Sequence, residues 1–155
     1  EMKLIMILRD HVQWVLNESE SDNAHIVLVD HGSPSAKVTA VREHVAQALS
    51  NSMDGLAIDQ AVMERRAGKE YDFNGPLLEQ YLKVKASSGV KKVIVTLLFF
   101  LPGRHAGSEG DIEQICARVM QQHKGFVVQI TPLIAEHNGL IDLLHSRLQA
   151  VLSTR

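Results

Sequence analysis

Two histidines lie in glycine-bearing loops next to apolar runs. Asp30-His31-Gly32-Ser33-Pro34 follows Ile26 to Val29, and Gly103-Arg104-His105-Ala106-Gly107 follows Val93 to Phe100 and Leu101-Pro102. A helical pattern comes after each loop. If both runs are parallel strands of one sheet, both imidazoles emerge at its carboxyl edge, where open α/β sheets place their ligands. A further run, Leu56 to Met63, brings Glu64 to the same edge. Two imidazoles and a carboxylate are borderline donors, suited to Fe, Co, Ni or Zn rather than to Ca or Mg. They are also an acid/base set, because histidine titrates near neutral pH. Each residue alone has a plainer reading: a hydrogen-bonded loop histidine, or a solvated charge for Glu64 beside Arg65 and Arg66. Convergence on one edge is what points to a site.

The surrounding residues add a second theme. The Gly32-Ser33 and Gly103 to Gly107 segments allow close backbone approach, and a helix N-terminus after His31 is an anion site. Arg65, Arg66, Lys69 and Arg104 place four cations on the same rim, which suits a substrate bearing several carboxylates. His137 opens the last helical pattern at the carboxyl edge and is a substrate-side candidate. His11, His44, His123 and His145 fall on helical stretches and read as solvated or boundary residues, and His25 belongs to the opposite edge. Asp111 reads as a helix N-cap. Cys116, between Ile115 and Val119 on an apolar helical face, reads as buried filler.

These residues need a scaffold, and the hydrophobic periodicity supplies one. Lys3 to Asn17 is an amphipathic helix with Leu4, Ile5, Leu8, Val12, Val15 and Leu16 in register, and Asn17 to Asn23 is a polar linker. Ser33-Pro34 then reads as N-cap and first residue of a helix whose core stripe is Val38, Val41, Val45 and Leu49. After the strand Leu56 to Met63, Arg65 to Gly75 is a polar loop. Pro76 opens a helix with Leu77, Leu78, Tyr81, Leu82 and Val84 as its apolar positions. Val93 to Phe100 is apolar at nearly every position, as a central parallel strand should be. Ile112, Ile115, Cys116, Val119 and Met120 mark the next helix, Phe126 to Thr131 a fourth strand, and Glu136 to Leu152 a closing helix striped by Leu140, Leu144, Leu148 and Val151. Such alternation predicts an α/β fold: a central parallel four-stranded sheet with helices on both faces and right-handed crossovers. The division is an N-terminal helix and linker over 1–22, then an α/β domain over 23–155.

Composition sets limits. A chain of 155 residues is one domain's worth, and its formal net charge of −2 gives no reason to propose a nucleic-acid or membrane partner. A single cysteine excludes an internal disulfide and a multi-cysteine metal cluster within one chain, so the chain reads as cytoplasmic. The Met2 to Leu8 apolar stretch is interrupted by Arg9 and Asp10, too early for a signal peptide or membrane span. The first residue, Glu1, suggests a trimmed or processed chain.

Taken in order, Val29-Asp30-His31-Gly32-Ser33, Ala61-Val62-Met63-Glu64, Leu98 to His105 with Asp111-Ile112, and Glu136-His137-Asn138-Gly139-Leu140 through Arg147 resemble the small sirohydrochlorin chelatases, the CbiX/SirB-like class II chelatases. The likeness runs from about Ile26 to Leu152. It implies a flavodoxin-like sheet and insertion of a divalent ion, usually cobalt or ferrous iron with nickel as a further candidate, into sirohydrochlorin or a similar tetrapyrrole, as in cobalamin or siroheme biosynthesis. It implies that His31 and His105 hold the metal and, with Glu64, carry the catalysis. Gly32, Ser33, Arg65, Arg66, Gly103, Arg104 and His137 would meet the tetrapyrrole. The metal is itself a substrate, and no organic cofactor is implied. One copy of each motif resembles the short, single-unit form, for which a homodimer is expected. The departures are the long Arg65 to Gly75 loop, Pro34 after the His-Gly-Ser motif, and the added N-terminal helix.

Two rival readings stand beside this one. The first is a non-catalytic tetrapyrrole or metal-binding protein of the same fold. The second is a phosphohydrolase, since Arg104-His105-Ala106-Gly107 is similar to the Arg-His-Gly signature of histidine phosphatases. That signature belongs after the first strand, and here it comes late and is split by Ala106.

Overall fold

β-Branched and apolar runs buried on both sides form the centre of the molecule. The computed structural model describes residues 1–18 and 23–154. The chain runs through helix α1 (Met2–Asn17), strand β1 (His25–Asp30), α2 (Ala36–Ser52), β2 (Ile58–Val62), a 3-10 turn (Lys69–Asn74), α3 (Leu78–Ser87), β3 (Lys92–Leu97), α4 (Asp111–Gln122), β4 (Val127–Ile130), a second 3-10 turn (Ile134–Glu136) and α5 (Leu140–Ser153). The strands pair in the order β2-β1-β3-β4, every pair parallel. The two inner strands are buried along almost their whole length, which is why they read as continuous apolar runs.

Successive strand residues point to opposite faces. Val27, Val29, Val93, Val95 and Leu97 pack with Leu78 and Leu82 of α3 and Ile112, Cys116 and Val119 of α4. On the other face Leu28 meets Ile7 and Leu8 of α1 and Val45 and Leu49 of α2, while Ile26 and Ile94 meet Val12 and Val15. The N-terminal helix is thus part of the core layer. Of the expected linker, residues 19–22 lie outside the described residues. Among the described residues, no helix is long and apolar enough to cross a membrane.

Several element boundaries and faces differ from expectation. β2, β3 and β4 are each shorter than their apolar runs, because the flanking residues turn into the loops that build the site. Helix α2 starts at Ala36 rather than Pro34. The Ser33 hydroxyl accepts a bond from the Ser35 N–H, and the Ser33 backbone is tied to Asn74, so Ser33 is not available as N-cap. Its buried face is Thr39, Arg42, Val45, Ala46 and Leu49, whereas Val38 and Val41 are exposed. The stripe rotates because Arg42 finds a buried carboxylate, a partner that hydrophobic spacing cannot reveal. Val84 of α3 is likewise exposed.

Helix α5 departs most. It begins at Leu140, and only Leu143 on it is buried; Leu144, Leu148 and Val151, expected in the core, are each more than half exposed. Together α1 and α2 cover most of that face of a four-stranded sheet, leaving α5 to rest on α1. There Lys3 Nζ donates to the Asp142 carbonyl and bonds the Ser146 hydroxyl. Finally, the Arg65 to Gly75 loop is not featureless. It winds a 3-10 turn that ends in Asn74, whose side chain is fully buried.

Candidate active site

The strand order itself creates the site. The chain leaves β1 toward β2 on one side and later enters β3 on the other, so the carboxyl ends of β1 and β3 flank the switch point where such sheets open a crevice. His31 is the first residue past β1. His105 comes from the loop that follows β3. Their rings meet edge-on with centroids 5.1 Å apart, and His31 also lies 4.5 Å from the Phe99 ring. His31 faces solvent, while His105 is 6% exposed beneath it.

Backbone bonds fix this juxtaposition. The Met63 and Glu64 N–H groups donate to the Asp30 and His31 carbonyls at 3.0 and 2.8 Å, extending the β1–β2 pairing beyond the strands. Gly32 lies in the left-handed region, with φ of +86°, and an added Cβ would fall 1.9 Å from the Glu64 carbonyl oxygen. Only glycine fits there. Gly110 plays a similar part: a Cβ would stand 2.7 Å from the His105 carbonyl, which instead accepts the Ile112 N–H at 3.0 Å.

The His105 imidazole lies between two carboxylates. Nδ1 is 2.9 Å from Asp111 Oδ2 and Nε2 is 3.3 Å from Glu64 Oε1. A neutral ring donates from one nitrogen only, and the shorter contact marks Nδ1–H to Asp111 as that bond. Nε2 then keeps its lone pair for a metal ion or a proton, and a carboxylate holding the opposite nitrogen is the usual means of fixing a metal-binding histidine. Glu64 is the exposed member: its side chain is 57% exposed, so rotating away from Nε2 would cost it little burial. Arg104, exposed, lies 3.6 Å from Glu64 and 3.7 Å from Asp111. Among the described residues, no three His, Cys, Asp or Glu side chains form a ready metal cage.

Glu64 stands in the wall between two open cavities. One, of about 460 Å³, is lined by Gly32, Ser33, Pro34, Met63, Glu64, Arg65, Arg66 and Leu77. The other, of about 350 Å³, contains Arg104, His105, Asp111, Gln114 and Arg118. Other expected substrate contacts are placed differently. Arg65 is engaged internally, bonding the Gly75 carbonyl at 2.8 Å and the Asp72 carboxylate. Arg66 is exposed and lies over the Tyr71 ring. The Gly103 N–H closes its own loop onto the Ala106 carbonyl at 2.8 Å.

His137 is not brought to this pair. Its Nδ1 accepts the Gly139 N–H at 2.8 Å and its Nε2 meets Asp10 at 2.9 Å, so the ring joins α1 to the start of α5. It stacks edge-on against His11, which is buried rather than solvated, and burial lowers the His11 pKa. Cys116 is buried, and burial pushes its thiol up to about 12, the value of a packing residue rather than a nucleophile.

Three residues bonded to the site or to the turn that carries it escaped the sequence pattern. Asp111 is the first residue of α4, with Gly110 as N-cap, and its carboxylate turns to His105. The signal was the spacing of His105 and Asp111, since a residue in a helix's first turn can reach back to the loop before it. Arg42 and Asn74 carry no such local signal, because, apart from the Tyr71 carbonyl near Asn74, their partners are 12 to 41 residues away.

Comparison with known proteins identifies the family. The CbiX family model matches residues 25–151. The chain is also 27% identical over 128 residues to the chloroplastic sirohydrochlorin ferrochelatase of Arabidopsis thaliana. That alignment covers 83% of this chain and 52% of the relative, so the chain spans about half the relative's length. With the family model covering most of its length, including every residue of the paired-histidine site, this chain belongs to the CbiX family.

Proposed function

We propose that the protein inserts a divalent metal ion, ferrous iron or cobalt, into sirohydrochlorin or a closely similar tetrapyrrole. The observation that carries this reading is the His31–His105 pair at the β1/β3 switch point, with Glu64 against His105 Nε2. Insertion replaces two pyrrole N–H protons by one M²⁺ ion, so ligands for the metal and acceptors for two protons must face the same ring. His31, open to solvent, and His105, once Glu64 has rotated off it, offer two imidazole nitrogens to the ion from one side. Glu64 is placed to receive the two protons one after the other and to pass each to water. Donation by two imidazoles leaves most of the ion's coordination positions for the macrocycle, unlike a closed structural site. Arg66 and Arg104, exposed on either side of Glu64, are the cations available for the ring's carboxylates. Imidazole accepts iron, cobalt and nickel alike; the name of the Arabidopsis relative favours iron.

A homodimer is the proposed assembly. Ile141, Leu144, Leu148 and Val151 form an exposed row on α5 at the 3-4-3 spacing of a helix-pairing seam. A second copy presents the same row, so a twofold axis along α5 makes the surface self-complementary. Light scattering should give twice the chain mass, with Leu148→Glu returning it to one. For compartment, the single buried cysteine fits the reducing cytoplasm, although the relative's name places that protein in the chloroplast.

The test is an anaerobic absorbance assay of sirohydrochlorin with Fe²⁺ or Co²⁺, comparing the protein with His105→Ala. Conversion above the uncatalysed rate, lost in the variant, supports the proposal and ranks the metals. A spectral shift on binding without insertion favours the carrier reading instead.

A further inference from the structure

The network beneath His31 reaches farther than the site needs for packing alone. Arg42 on α2 is 2% exposed, and its guanidinium makes three bonds to three different segments. Nη1 donates to Asp30 Oδ1 at 2.8 Å, Nε to Gln60 Oε1 at 2.9 Å, and Nη2 to the Asn74 carbonyl at 2.7 Å. Asn74, fully buried, grips the backbone of Ser33 from both sides: its Oδ1 accepts the Ser33 N–H at 3.0 Å and its Nδ2 donates to the Ser33 carbonyl at 2.9 Å. A second Nδ2 bond, 3.1 Å to the Tyr71 carbonyl, anchors the amide in the 3-10 turn. On the other side of His31, Asp30 Oδ1 also accepts the Gly32 N–H at 3.0 Å. Both residues flanking His31 are therefore held by one buried network, and its far end is the 65–75 segment. That segment is itself locked by Arg65 on the Gly75 carbonyl and on Asp72. The His31 ring is held differently, by contact with the Phe99 and His105 rings. Its place over His105 is set by where its backbone stands.

We propose that the 65–75 segment is a fixed brace for the His31 turn, and that Asn74 and Arg42 are positioning residues that act through His31. The catalytic part of this inference rests on the function proposed above; the geometric part does not. A buried polar network with every member bonded gives rigidity at the position it surrounds. Releasing Ser33 lets the turn drift, and a displacement near 1 Å at a reacting group costs about 100-fold in rate.

The test reads the ring directly and the reaction separately. Ring-proton signals of His31, assigned by their loss in His31→Asn, carry ring-current shifts from Phe99 and His105. They are compared in the intact protein, in Asn74→Ala and in Asn74→Asp, which keeps the shape and the acceptor for Ser33 N–H but lacks both donors. Arg42→Lys is the third variant. The brace predicts that the His31 signals move in all three folded variants. It also predicts that kcat for Fe²⁺ insertion falls about 10- to 100-fold with little change in KM for the tetrapyrrole. In a His31→Ala background the Asn74 substitution should cause no further loss. Unmoved His31 signals in folded Asn74→Ala overturn the inference, and if that variant does not fold, Asn74→Asp decides by the same criterion. Moved signals in a protein that inserts no metal would keep the brace and remove the proposed function.

Discussion

Replacing Gly32 by Ala puts one methyl group where the structure has no room. The new Cβ would meet the Glu64 carbonyl oxygen at 1.9 Å, while ordinary contact begins near 3.4 Å. The two backbones must therefore part by about 1.5 Å, the difference between these values. Alanine in the left-handed region adds about 1–2 kcal/mol. Parting the backbones also strains the Glu64 N–H to His31 carbonyl bond, at about 1 kcal/mol. The sum is about 2–3 kcal/mol, which for a domain of this size lowers Tm by about 4–12 °C. The functional effect should be larger than the loss of stability, because His31 and Glu64 move apart, and about 1 Å of misplacement costs about 100-fold in rate. Thermal unfolding followed by circular dichroism and anaerobic insertion kinetics measure the two effects on the same sample. A Gly32→Ala protein with unchanged Tm and full activity would refute the argument that this turn is pressed against Glu64.

Other perturbations separate the remaining parts of the account. Asp111→Asn should keep the fold but leave His105 without its carboxylate partner, lowering the insertion rate about 10- to 100-fold; a wild-type rate would mean that Asp111 does not orient the ring. Stability should fall as pH drops below the ordinary histidine value of 6.5. Burial lowers the His11 pKa, so the unfolded chain takes up that proton first; the contribution is complete above 6.5 and is lost as pH falls toward the lowered value. Tm measured above and below pH 6.5 should show a shallower decline in His11→Gln than in the native chain, and an equal decline would contradict the assignment. Cys116 should resist iodoacetamide in the folded protein and react only after unfolding, as mass spectrometry would show; rapid labelling of the native state would contradict its burial.

The sheet, its helices and the two histidines were readable in the chain because each rests on local pattern. Val93 to Leu97 is apolar at four of five positions and is buried on both faces; His31 is the residue after β1, and His105 lies in the glycine-bearing loop after β3. What the pattern missed depends on long-range pairing. The Val38, Val41, Val45 and Leu49 stripe left Arg42 out of the buried face of α2, yet Arg42 lies 2.8 Å from Asp30 and turns that face toward itself. Asn74 sat in what read as a polar loop, yet it bonds Ser33, 41 residues away. Asp111 looked like a cap because Asp favours helix starts, and its real partner, His105, lay just before the helix. Leu144, Leu148 and Val151 gave a true helical period on α5, but a period does not say which layer receives it.

The most direct measurement is the initial rate of Fe²⁺ insertion into sirohydrochlorin for the native chain, His31→Ala, His105→Ala and the double variant, with folding checked for each. Two imidazoles that present one ion act as a unit, so either single substitution should remove most of the catalysed rate and the double variant should lose no more. Single variants that keep near-native rates, or losses that simply multiply in the double variant, would contradict a shared metal-presenting site at the β1/β3 switch point.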